Sequence, residues 1–421
     1  MKKLLNILAL FVICIFQLNS QLSKIFVLNE GSFDFVSGQI TVPVSLGVFD
    51  VNSKTYQQIS EIPNARFASD LLIHENSIWI AADKYLIEFN LNTLTHIRTK
   101  EIEGIRKLAI KDELIIVTRG EYLKNLNSYV QILNKMDFSL LFEIPETEMG
   151  FTTENIVVKD RVAYIGVNNG FVFGQEVGKI LKIDLDSLKW NQTIDLGVDG
   201  KNPENLMLYE DVLLSLNNKD FTGSSVSVID LKNNEVRNHN LADVQSLCGT
   251  STLMKSGVIY QEFGETTLGR YDITGNTSST FKELNDAVYG MSFSENFNVL
   301  CAGVTDFKSF GKVFVYDKDI NELYNFNTSI APGYFAFQGI SVNTKHENAS
   351  LDITVSPNPV LDYCYIESSD NIEEITLFDM MGSQILKQSL LKINTRALAS
   401  GTYILKVRSK HKSGKTLLVK Y

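Results

Sequence analysis

Asp317, Asp319 and Asn321, in the stretch "DKDIN", have the alternate spacing of the first oxygen ligands in a calcium-binding loop. Such a loop also needs a glycine at its sixth position and a bidentate Glu at its twelfth, where this chain has Glu322 and Thr328. The stretch therefore reads as a hairpin turn. The five histidines, at 74, 96, 239, 346 and 411, are scattered, and none has metal-ligand or nucleophile–base spacing. HExxH, GxSxG, Walker A and GxGxxG patterns do not occur. These patterns give no metal, no cofactor and no catalytic residue. What remains is a set of rings, arginines and asparagines in polar stretches: Arg66, Phe67, Arg119, Tyr122, Phe171, Asn205, Asn217 and Tyr334, with Phe151, Phe173, Phe221, Phe307, Phe310 and Phe335 beside them. Aromatic walls with a few Arg and Asn groups suit a planar or amphipathic ligand. Any single ring is as well explained by packing between sheets.

A scaffold that could gather these residues is visible as a repeat. From Gln21 to about Asn343 a short β-rich run ends in Asp or Asn, a polar turn follows, and another strand begins: "VFDVNS", "EFNLNT", "QILNKMD", "KIDLDS", "VIDLKNN", "RYDITGN" and "VYDKDIN". The anchors Asp50, Asn90, Asn134, Asp184, Asp230, Asp272 and Asp317 recur every 40 to 50 residues, the length of a four-stranded propeller blade. Ahead of the anchors come paired apolar strands such as "DLLIHENSIWIAA", "KLAIKDELIIVT", "NIVVKDRVAYIGV" and "NLMLYEDVLLSL". Runs such as "LIIV" are apolar on both faces, as strands sandwiched between neighbouring sheets must be. The expected fold is all-β: a seven-bladed β-propeller over 21–343, with strands A to D from inside to outside. The chain enters on a B-type strand, "KIFVLNE", and leaves the repeat on an A-type strand, "FAFQGISV". Ile25 to Leu28 should then pair with Phe335 to Val342 and remove the open edge.

The A–B and C–D turns are short, whereas the B–C loops ("RGEYLKNLNS", "NNGFVFGQEVG") and D–A loops ("IPNARFASD", "LGVDGKNPEN") are long. B–C and D–A loops share one face of a propeller, around its funnel, and loops on a rigid scaffold usually carry function. The ligand-binding residues are expected there, and His74 on the opposite face.

Both ends read as addresses. Residues 1–20, "MKKLLNILALFVICIFQLNS", have a Lys pair, a short apolar stretch and a small residue at Ser20, the pattern of a signal peptide. The stretch is too short for a membrane anchor, and no later run could span a bilayer. Cys248, Cys301 and Cys364 are odd in number and in no CxxC pair, so they read as buried free thiols. The chain is acidic, with a formal net charge of −10, which argues against nucleic acid as a partner. Yet its last stretch, Gly401 to Tyr421, holds six Lys or Arg and no acid.

Residues 344–350 read as a linker, and 351–421 as a small antiparallel β-sandwich with period-2 strands between "SPNP", "MMG" and "ASG". Pro357-Asn358-Pro359, "LFDMMG" (Leu377 to Gly382), "GTYILKV" (Gly401 to Val407) and the final "KTLLVKY" resemble, in order and spacing, the C-terminal sorting domain of type IX secretion cargo in Bacteroidota. The resemblance implies that the tail is read by the type IX secretion machinery, and that the protein passes the periplasm to the cell surface or the medium. "VLNEG" (Val27 to Gly31) resembles the opening of YncE-like, YVTN-type surface propellers, some of which capture corrinoids. The reading is an exported propeller that binds a small molecule, glycan or protein on its funnel face. Corrinoid capture and a propeller hydrolase or lyase are the alternatives; the absence of a catalytic constellation favours binding over an enzyme.

Overall fold

The computed structural model describes residues 21–220, 223–241, 244–246, 250–262, 264–340, 351, 353–368, 370–379, 384–409 and 413–421. The expected signal peptide and linker lie outside them. Two compact units emerge, residues 1–340 and 341–421.

Among its described residues the first unit has seven four-stranded antiparallel sheets and a small two-stranded one. Their inner strands, from blade 1 to blade 7, are Pro332–Ile340, Ala68–His74, Ile105–Lys111, Thr153–Lys159, Pro203–Tyr209, Ser251–Met254 and Gly290–Ser294. Each inner strand contacts the next, and the last returns to the first, so the blades form a closed ring.

Local chemistry explains the period of the repeat. Each of the seven anchors ends the third strand of its blade, and its side-chain oxygen accepts a backbone N–H two to four residues further on. Short Asp and Asn side chains do this readily and so nucleate the turn to the fourth strand. "DKDIN" is one of these turns.

Because side chains alternate across a strand, each blade presents an apolar surface to both neighbours. Ile78 and Ile80 join the core shared with blade 1, while Trp79 and Ala81 join the core shared with blade 3. Such a core fills every interface around the ring. Cys301 is buried in the one between blades 7 and 1, where burial raises its thiol pKa.

Blade 1 takes strands from both ends of the unit. Gln21–Asn29 pairs antiparallel with Pro332–Ile340, with Ile25 opposite Phe337, Val27 opposite Phe335 and Leu28 opposite Tyr334. This is the expected closure as far as Ile340. In the opening motif, Asn29 Nδ2 donates to Ser45 O at 3.2 Å and Tyr56 Oη at 3.0 Å. Gly31 has φ +77°, and a Cβ there would lie 2.3 Å from Val42 O, so only glycine fits.

The second unit has a three-stranded and a four-stranded antiparallel sheet around a core that includes Cys364, Ile375, Leu405, Val407 and Leu418. In Gly401–Ser409, Tyr403, Leu405 and Val407 are buried while Lys406 and Arg408 are exposed. Two of the tail's basic residues thus lie on the solvent side of a half-buried strand. No helix among the described residues is long and apolar enough to cross a membrane.

Candidate functional site

One main-chain contact recurs where the second strand of a blade ends. The residue after it donates its N–H to the residue just ahead of the inner strand: Glu30 to Ala331, Asp83 to Phe67, Gly120 to Gly104, Asn168 to Thr152, and Asn218 to Asn202. These bonds tie the B–C and D–A loops together at one end of the ring. Blade 2 departs from the expected long loops, since only Asp83 and Lys84 join its second and third strands. His74 ends its inner strand at the opposite end, and His96 and His239 lie in outer strands.

Just inside the loop end, the inner strands of blades 2 to 5 are bulged against their partners. The register shifts fall between Ala68 and Asp70, Ile105 and Leu108, Thr153 and Ile156, and Pro203 and Asn205. A bulge inserts an unpaired residue and re-aims side chains. Here the shifted segments hold Arg106, Lys107, Glu154, Asn155 and Glu204. Thr118 Oγ1 accepts the Lys107 N–H at 3.0 Å, which satisfies a donor the ladder leaves over.

These side chains converge on the axis. Arg106 grips Glu154 of the next blade with two bonds, Nε to Oε2 at 3.0 Å and Nη2 to Oε1 at 3.1 Å. Lys107 Nζ donates to Ser69 O at 2.6 Å and lies 4.5 Å from the ring centroid of Tyr334 in blade 1. Asp70 accepts the N–H groups of Leu71 at 3.0 Å and Leu108 at 2.8 Å. Asn155 Nδ2 donates to Asn205 Oδ1 at 2.9 Å, and Asn205 Nδ2 donates to Ser251 O at 3.0 Å. Such lateral bonds staple neighbouring inner strands, which share no ladder of their own.

Four acids, Glu30, Asp70, Glu154 and Glu204, meet two bases, Arg106 and Lys107; Glu154 is buried and the other five are half-buried. Burial raises the carboxyl pKa of Glu30, although the hydrogen bond from Tyr289 opposes it. Burial raises that of Asp70 too, against the pull of Lys107. For Glu204, burial and then the charge of Glu154 push the pKa up to about 8, despite Arg106, Lys107 and a hydrogen bond with Asn168. Glu204 thus favours its protonated form more than an ordinary carboxyl does. Burial works against the charges of Arg106 and Lys107, but Glu154 for the first, and Tyr334, Asp70 and Glu154 for the second, more than offset it and hold both above their usual range. A group of this kind can donate or accept a proton near neutrality and can neutralise an anion.

The residues singled out in the sequence divide into three groups. Phe171, Asn205 and Tyr334 belong to the axial cluster; the Arg106 guanidinium lies over the Phe171 ring at 5.2 Å. Arg66, Phe67 and Tyr122 lie in the loops at its rim. Arg66 is clamped there: its Nε and Nη2 hold Asp83 at 2.9 and 2.5 Å, its Nη2 also reaches Glu121 at 2.8 Å, and its guanidinium covers the Phe67 ring. Arg119 and Asn217 turn inward instead. Buried Arg119 donates to Glu103 O, Asn127 Oδ1 and Ser128 O, and buried Asn217 bonds Ser215, Ser225 and Ser227. Of the further rings, Phe335 and Phe151 pack into interblade cores, whereas Phe173, Phe307 and Phe310 are exposed on B–C loops. Phe221, like Cys248, His346 and His411, lies outside the described residues.

Next to Glu204, Asn202 and Asn218 are fully buried, yet neither side-chain amide has a hydrogen-bond partner among the described residues. Unpaired buried amides cost about 1–3 kcal/mol each and call for a ligand or ordered water. Among the described residues no group of three or more His, Cys, Asp and Glu is placed to hold a metal.

Arg106, Lys107, Glu154 and Glu204 were not singled out by sequence reasoning, which looked to the loops. A signal did exist. Asp70, Lys107, Asn155 and Asn205 open the four aligned inner-strand segments, each a polar residue at the same place in the repeat and each beside another polar or charged one.

Residues 354–420 match the family of secretion system C-terminal sorting domains, so the tail is a type IX sorting tail and the protein is exported to the cell surface or the medium. No curated protein sequence matches the chain. A quinonprotein alcohol dehydrogenase-like protein from Bacteroides thetaiotaomicron superposes with a TM-score of 0.56 at 12% identity, over 75% of this chain and 78% of its own. Hydrazine synthase from Kuenenia stuttgartiensis gives 0.54 at 12%, over 65% and 90%. A protein from Lactobacillus plantarum gives 0.53 at 10%, over 76% and 100%. At such identities the likeness shows the fold alone.

Proposed function

We propose that this exported propeller binds a small amphipathic ligand at the loop end of its axis, with an acidic or strongly accepting group of the ligand directed inward. The observation that carries this is the convergence of Arg106, Lys107, Glu154 and Glu204, from three separate blades, between the rings of Phe171 and Tyr334. Arg106 Nη1 makes no hydrogen bond to the described residues, and Lys107 uses one donor on a main-chain oxygen. A protonated Glu204 adds a third donor. An anion entering from the loops would meet all three in a half-buried setting, and its apolar part would lie against Phe171, Tyr334 and, at the rim, Phe67. The buried amides of Asn202 and Asn218 would add polar contacts beside Glu204. Arg66 would shape the mouth through Asp83 and Glu121.

The arrangement favours binding over catalysis. It holds a proton donor and two cations but no nucleophile with a base at hand, so hydrolysis through a covalent intermediate has less support. The test is a thermal-shift screen of small acids, glycans and cobalamins on the full chain and on Lys107→Gln. Compounds that stabilise the native protein should bind the variant more weakly by about 1.5–3 kcal/mol, the contribution of a charged hydrogen bond. Equal stabilisation of both proteins by every active compound would place the ligand elsewhere.

A further inference from the structure

A second polar recess lies at the opposite end of the ring, between blades 2 and 3. It is a cavity of about 430 Å³ lined by His74, Glu75, Ser77, Trp79, Glu88, Ile97, Arg98, Lys135 and Met136. Most of its polar groups are already tied. Glu88 accepts Ser77 Oγ at 2.6 Å and Arg98 Nε at 2.6 Å. The other two nitrogens of Arg98 donate to Met136 O and Lys135 O, both at 2.5 Å. Two buried atoms have no hydrogen-bond partner among the described residues: the indole Nε1 of Trp79, a residue 1% exposed, and Nε2 of His74, which lies 3.9 Å from Glu75 Oε1. Among the described residues Lys135, itself buried, holds only Glu75 at 3.2 Å and Glu113 at 3.6 Å, both well exposed to solvent.

The unmet capacity of the recess is therefore biased towards donors. An indole N–H can only donate. An ammonium whose partners are exposed carboxylates can exchange one of them for an incoming anion at little cost, because screened pairs are weak. The half-exposed Ile97 and the exposed Met136 supply an apolar rim. We infer that this recess is a second binding site, distinct from the axial one, for a small organic carboxylate. Trp79 N–H and Lys135 would hold the carboxylate, His74 Nε2 would hydrogen-bond it as the protonated tautomer, and a short apolar chain would lie on Ile97 and Met136.

The chain has only two tryptophans, Trp79 and Trp190, so the indole N–H signals of the ¹⁵N-labelled full chain report on the site directly. Trp190→Phe assigns them without disturbing the recess. On titration with sodium hexanoate the Trp79 signal should shift saturably while that of Trp190 stays still, and equal concentrations of sodium chloride should move neither. Lys135→Gln should weaken the hexanoate response about tenfold, the loss of one charged hydrogen bond. A Trp79 signal that does not move in hexanoate overturns the site. A response to hexanamide as strong as to hexanoate, or one unchanged in Lys135→Gln, overturns the carboxylate assignment.

Discussion

The ammonium of Lys107 lies 4.5 Å from the ring centroid of Tyr334, although one residue belongs to blade 3, the other to blade 1, and blade 2 stands between them. The contact passes over blade 2 and joins strands that share no main-chain hydrogen bond. A desolvated cation over an aromatic face contributes about 2 kcal/mol. Tyr334→Leu should lower unfolding stability by about 1–2 kcal/mol in urea denaturation, beyond any effect of Tyr334→Phe, which keeps the ring. The hydroxyl makes only a long contact, 3.5 Å to Ala68 O. Equal losses in the two variants would show that the cation and the ring do not interact appreciably.

Stability should also fall with rising pH, and Glu204 gives the sign. Its carboxyl pKa is about 8 in the folded chain and near ~4.3 in an unfolded one, so the folded state holds the extra proton between these values. The stabilising contribution is complete below the lower value and disappears as pH passes the upper one. Glu30 and Asp70, raised in the same direction, add to the trend. The melting temperature should decline from about pH 5 to about pH 9, and Glu204→Gln should flatten the decline. A Glu204→Gln profile parallel to the native one would mean that this carboxyl titrates normally.

Deleting Gln21 to Asn29 removes the second strand of blade 1 and, with it, Phe26 and Leu28 from one interblade core and Ile25 and Val27 from another. Each buried aliphatic or aromatic side chain lost costs on the order of 2–5 kcal/mol, and Pro332–Ile340 loses its ladder partner. The melting temperature should collapse or the protein should fail to fold. A deletion variant that melts like the native chain would contradict the closure.

Removal of Leu351 to Tyr421 takes away the sorting domain with its own core. The remaining propeller has its cores and closing strand within residues 21–340, so it should fold and accumulate in the periplasm. Fractionation of cells that express the truncated chain reads this out; the truncated form on the surface or in the medium would refute a sorting role for the tail.

Much was legible in the sequence because it rests on local chemistry. An Asp or Asn side chain that caps its own turn does so within four residues, so seven anchors announced seven turns, and their spacing gave the blade length. Strands apolar on both faces announced their burial between neighbours. The chain's entry on a B-type strand predicted a blade completed from the far end of the unit. The sorting tail, too, was written in local motifs.

The axial site depended on what lies far away in the chain. Arg66 looked available in "PNARFASD", but the fold brings Asp83 and Glu121 against it. Asn217 looked like a loop residue, but strand register turns it in towards three serines. Arg106, Lys107, Glu154 and Glu204 are ordinary strand-edge residues by sequence. They become a half-buried cluster because bulges shift them off the ladder and ring closure brings separate blades to one axis. Their raised carboxyl pKa values follow from that meeting, since desolvation and neighbouring charge are properties of position in the folded molecule.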